Sequence, residues 1–190
     1  MRLPAALAIT AALVAAGSAS GRAPAAAPRA VGERAPQQAF AARGARRVPA
    51  LEEQVLAAIN SLRHQHGLVA LRLNAHLAAT AREHSLSMAE YGYFEHSSPT
   101  GSPFWKRVEA KYPQRGARFW SVGENLAWAS PDLSAQHVLE LWLSSPAHAR
   151  NLLTPAWREI GLGAVHDLAA PGIYGGLAVT ILTADFGVRR

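Results

Sequence analysis

The sequence predicts an α+β domain in which helices come first and an antiparallel sheet closes the fold. Apolar residues recur at helical spacing from Leu51 to His66 and again from Asn74 to Tyr91. From Glu159 onward the period becomes strand-like, and no βαβ alternation, internal repeat or glycine-rich nucleotide loop breaks that order.

The first fifty of the 190 residues stand apart from this domain. Residues 1–20, "MRLPAALAITAALVAAGSAS", have Arg2 as a positive start, an apolar run from Leu3 to Ala16 and small residues at Gly17 to Ser20. That pattern predicts a secretory signal; retention as a membrane anchor is the alternative, for which the run is short. Residues 21–49 are built from Ala, Pro, Arg and Gly, with too little apolar surface to offset ordering, and are expected to be a linker. The folded domain is then residues 50–190.

Charge divides along the same line. Six arginines against Glu33 lie within 21–49, whereas residues 51–190 carry 12 basic and 12 acidic side chains. A neutral domain argues against nucleic acid as a partner, and leaves membrane or wall-polymer contact to the signal or the basic linker. With no cysteine, the domain must hold together through its own core. An exported chain without disulfides suits a bacterial envelope or medium, either extracellular or periplasmic.

Helix one places Val55, Leu56, Ile59 and Leu62 on one stripe and stops at Gly67. Asn74 is the expected N-cap of helix two, whose stripe of Leu77, Ala81, His84, Met88 and Tyr91 makes His84 a hydrogen-bonded core histidine. The loop "YFEHSSPTGSP" carries His96 and leads into a short helix, "FWKRVEAKY". "FWSVGENLAW" is expected as a short extended or turn segment, with Gly123 making a turn that presents Glu124. Ser130-Pro131 is the expected start of a third helix and Ser145-Pro146 of a fourth, while "EIGLGAVHD" and "GGLAVTILTADFG" form a hairpin around Pro171-Gly172.

Chemistry-bearing residues sit at element ends: His96, Glu124 and His148. Two imidazoles and a carboxylate suit a first-row divalent ion, Zn(II) first, with Mg(II) or Ca(II) as other candidates. Their wide spacing is unlike the paired histidines of zinc peptidases. A serine triad is the competing arrangement, yet no serine lies in a nucleophile elbow, and Ser145 before Pro146 is an N-cap. Asp185 shares one strand face with Ile181 and Thr183, either lining the same cleft or lying at the surface near the strand end. Asn125 and Asn151 are expected to bond backbone in their turns.

Together, "AINSLRHQHGLVALRLNAHLAATAREHSLSMAEYGYFEHSSPTG", "VGENLAW", "LWLSSPAHARNLLTPAWREIGLG" and "TADFG" resemble the bacterial branch of the CAP superfamily of SCP-like extracellular proteins. The resemblance spans Leu51 to Gly187. It implies a three-layer α-β-α sandwich around a central antiparallel sheet, and a cleft that in some relatives binds a divalent cation. His96 matches the family's loop histidine and Glu124 its "GEN" acid. No acid follows Trp142, Ile181 stands at the second histidine and Ala184 at a customary glutamine, so His148 is the expected substitute.

These features predict a secreted, monomeric binding module for a lipid, a cell-wall component or a protein, with no catalytic residue. A metal-dependent hydrolase using His96 and Glu124 is the alternative, and an envelope scaffold tethered by the basic linker is a third.

Overall fold

The computed structural model describes residues 10–15 and 44–190. The remainder of the expected signal (1–20) and residues 21–43 of the expected linker lie outside the described residues. The strands are β1 (Thr10–Ala15), β2 (Arg46–Arg47), β3 (Arg72–Leu73), β4 (Trp120–Ala129), β5 (Glu159–Ala170) and β6 (Leu177–Arg189). The helices are α1 (Pro49–Gln65), α2 (Ala75–Tyr91), α3 (Phe104–Lys111), α4 (Ala135–Leu143) and α5 (Pro146–Leu153).

One sheet runs β1-β4-β6-β5-β2, antiparallel throughout, with β3 added in parallel to β5. Period-two alternation divides its central strands into two faces. Ala127, Ala129, Leu162, Ala164, Leu182, Ala184 and Phe186 pack with α1, α4 and α5 around the fully buried Trp142. On the opposite face Val122, Leu126, Trp128, Val165, Val179 and Ile181 pack with α2 and α3. The expected three-layer α-β-α sandwich is therefore present.

Helix α2 lies unusually close to the sheet because β5 offers glycine beneath it. A Cβ at Gly161 would stand 2.0 Å from the Leu77 backbone, and one at Gly163 2.3 Å from the Arg82 nitrogen. Both ends of α2 follow the sequence: Asn74 Oδ1 accepts from the His76 and Leu77 amides, and Gly92 closes it in the left-handed region at φ 68°.

Three expectations needed correction. The "FWSVGENLAW" stretch is a ten-residue buried strand, with Gly123 inside it and no turn there. The third helix begins at Ala135, not at Pro131, with the Ser134 hydroxyl accepting from the His137 amide as its N-cap. Arg46 and Arg47, assigned to the linker by composition, pair with His166 and Val165 as an edge strand. Their backbones make ladder bonds while their side chains stay exposed, so composition misses them.

Candidate binding site

Glu124 and Asp185 are directly opposite each other in the β4–β6 ladder, and both point toward the α2/α3 layer. Both are fully buried, so the reading of Asp185 as a surface acid is set aside. Burying two adjacent carboxyls is costly unless protons and donors meet them.

Three elements supply those donors. The α2–α3 loop brings His96, whose Nδ1 donates to Glu124 Oε1 at 2.7 Å. From α3, Arg107 donates through Nη2 to Glu124 Oε2 and through Nη1 to the His96 carbonyl at 3.3 Å. From α2, the Thr80 hydroxyl lies 2.5 Å from Asp185 Oδ2. A buried polar strip continues along the same face, where Thr183 Oγ1 meets Ser85 Oγ at 2.8 Å and Ser85 donates to the Gly163 carbonyl at 2.7 Å.

The loop carrying His96 is itself pinned from below. His84 Nε2 stands 2.9 Å from the Glu95 carbonyl, which can only accept, so that nitrogen carries the proton. Burial, and then the Arg107 charge, hold the His84 imidazole well below its usual range and keep it neutral. The expected core histidine is thus the residue that sets the loop.

Burial pushes the Glu124 carboxyl up to about 7, with the Arg107 charge and a hydrogen bond from Asp185 pulling it back. Asp185 is driven well above the ordinary carboxyl range, first by burial and then by the neighbouring Glu124 charge. Two carboxyls that share a hydrogen bond must hold a proton between them. It rests on Asp185, since the strong donors aim at Glu124. His96 and Arg107 form the accessible rim of this cluster, with side chains 13% and 16% exposed, above a Glu124 that is 0% exposed.

His148 does not join them. It is buried on α5, on the other side of the sheet, where its carbonyl accepts from Asn125 Nδ2 at 3.2 Å. Asn151 Nδ2 donates to the Glu124 carbonyl at 3.1 Å and to Asn125 Oδ1 at 2.8 Å, riveting α5 to the back of β4. Adjacent residues on a strand point to opposite faces, so Glu124 and Asn125 serve opposite layers. The expected three-ligand set of His96, Glu124 and His148 is therefore split by the sheet. Among the described residues no group of three or more His, Cys, Asp or Glu side chains is arranged to hold a metal ion.

The donor chemistry points the same way. Glu124 is fully buried and both of its oxygens already accept from protein donors. These residues, as arranged, do not fit a divalent ion.

Arg107 and Thr80 were missed in the sequence. Each had a signal: Arg107 lies three residues after Phe104 on the buried side of α3, and Thr80 sits inside the stripe of Leu77, Ala81 and His84. A polar residue on an apolar stripe needs a buried partner.

The model of the CAP family, described as the cysteine-rich secretory protein family, matches residues 56–174. The chain belongs to the CAP family. It is 33% identical over 121 residues to YkwD of Bacillus subtilis, an alignment covering 63% of this chain and 44% of that protein. It is also 33% identical over 112 residues to the B. subtilis membrane protein YlbC, covering 59% and 31%. The chain thus spans less than half the length of these curated relatives. Among solved structures, this CAP domain resembles an extracellular SCP-domain protein of Bacillus anthracis, with a TM-score of 0.57 at 27% identity, covering 75% of this chain and 41% of that one. An outer surface protein of Borrelia burgdorferi shares the fold, with a TM-score of 0.63 at 19% identity, covering 76% and 98%. Among the described residues, no helix is long and apolar enough to cross a membrane.

Proposed function

We propose that this CAP-domain protein is an exported, non-catalytic binding module, and that the His96–Glu124–Arg107–Asp185 cluster is the polar support beneath its ligand groove. The observation that carries this reading is the full burial of Glu124 beneath its own donors. A general base or metal-activating carboxylate must meet water or substrate, whereas Glu124 is 0% exposed and each of its oxygens already accepts from a side chain of the protein itself.

The rim offers the Arg107 guanidinium, a donor to polar or anionic ligand groups, beside the His96 imidazole. A lipid headgroup, a cell-wall component and an acidic protein surface all present such acceptors. Export rests on the apolar residues near the N-terminus and on likeness to an extracellular protein and an outer-surface protein. The neutral domain speaks against nucleic acid, and the protein is expected to act as a monomer.

The test is co-sedimentation of the full chain with purified bacterial wall sacculi and, separately, with phosphatidylglycerol vesicles, alongside a peptide-hydrolysis assay with and without Zn(II). Saturable binding to one of the two, weakened by His96→Ala and accompanied by no turnover, is the expected result. Turnover that scales with protein and disappears in Glu124→Gln would establish the hydrolase instead.

A further inference from the structure

We propose that Arg107 is the resident cation of this cluster: its guanidinium occupies the chemical role of a divalent ion at the Glu124–Asp185 pair, and its presence makes the site metal-free. The inference rests on the reading of the cluster as a polar support and extends it by naming the residue that decides cation specificity.

Two carboxyls meet on adjacent strands with no solvent at either. One proton and one positive charge bring the group to neutrality, and Arg107 is the cation in contact with it. Arg107 bridges the strand carboxylate to the loop above it, from Glu124 Oε2 to the His96 carbonyl. Guanidinium is always charged and weakly hydrated, so it tolerates this partly buried position better than an ammonium would.

Once the arginine is gone, the flanking residues, which are not arranged around an ion as they stand, can close on one. Glu124 would expose an oxygen, Asp185 lies directly across the ladder, and His96 is within 2.7 Å of Glu124. Two oxygens and an imidazole are a donor set for Zn(II). A merely structural arginine predicts something different, namely lost stability with no new affinity.

The experiment is calorimetric titration of Zn(II) and of Ca(II) into the full chain as wild type, Arg107→Gln, Arg107→Lys and the Arg107→Gln/Glu124→Gln pair. The wild type and Arg107→Lys are expected to show no binding that depends on Glu124. Arg107→Gln is expected to gain one saturable site for at least one ion, at least about tenfold tighter than in wild type, and to lose it in the double variant. Should Arg107→Gln fail to fold alone, refolding it with either ion or with millimolar guanidinium is the equivalent test, and recovery is expected only while Glu124 is present. Glu124-dependent binding in the wild type, a folded Arg107→Gln that takes neither ion, or no recovery with any cation would overturn the proposal. None of these outcomes bears on wall or vesicle binding, so the two proposals fail separately.

Discussion

Thr80 on α2 and Asp185 on β6, 105 residues apart in sequence, meet at 2.5 Å in the dry space between helix and sheet. That contact exists only because α2 rests on β5 through Gly161 and Gly163, where no side chain intervenes. The close approach of one helix is thus what brings a hydroxyl to the buried Asp185.

Gly163→Ala is expected to destabilise the domain by about 3 kcal/mol, the upper end for inserting a methyl group against rigid atoms. Its Cβ would stand 2.3 Å from the Arg82 nitrogen and 2.5 Å from the Ala81 carbonyl carbon, so the helix backbone itself must move. Urea unfolding of the variant against wild type measures it, and a cost under about 0.5 kcal/mol would mean α2 shifts freely.

The acids make stability depend on pH in a stated direction. Glu124 is raised from 4.5 to about 7 and Asp185 is raised well above its usual range. Each therefore contributes stability that is full below its unfolded value and lost as pH rises through its folded value. His84 acts oppositely: its lowered value makes it contribute above about 6.5, with loss as pH falls. Asp185→Asn removes one acid and its repulsion of the other. The fall in urea midpoint from about pH 5 to about pH 8 should be clearly smaller in Asp185→Asn than in wild type, and equal slopes would contradict the buried pair.

His84→Leu should free the loop that carries His96. It leaves the Glu95 carbonyl without its donor, at a cost of about 1–3 kcal/mol. Limited proteolysis is expected to gain cleavage sites within residues 93–103, and His96→Ala, which keeps the pin, should gain fewer.

Asn74→Ala tests the start of α2. The side chain accepts from two helix amides and donates through Nδ2 to Glu159 at 2.7 Å. Loss of the cap alone costs about 1 kcal/mol, and the Glu159 bond brings the expected total to about 2 kcal/mol by chemical denaturation.

The elements most legible in the sequence were those with local grammar. Asn74 and Gly92 marked both ends of α2 by capping chemistry, and the apolar runs around Pro171 announced the closing hairpin. Strand β4 was obscure because it is buried on both faces: a stretch such as "SVGENLAWA" has no polar alternation to betray its period. For the same reason the opposite orientations of Glu124 and Asn125 were hidden, and with them the separation of His148 from His96. Sequence proximity to element ends suggested convergence, whereas strand parity decides it. Arg107 was overlooked because an arginine on a short helix is ordinarily a solvated one.

The most direct test of the account is a carbon-13 NMR titration of the Glu124 and Asp185 carboxyls in the full chain, assigned with Glu124→Gln and Asp185→Asn. Glu124 is expected to titrate near 7 while Asp185 keeps its proton through neutral pH. Two carboxyls titrating independently in the ordinary acidic range would mean that they are solvated and apart, and the polar support proposed for this CAP domain would not exist.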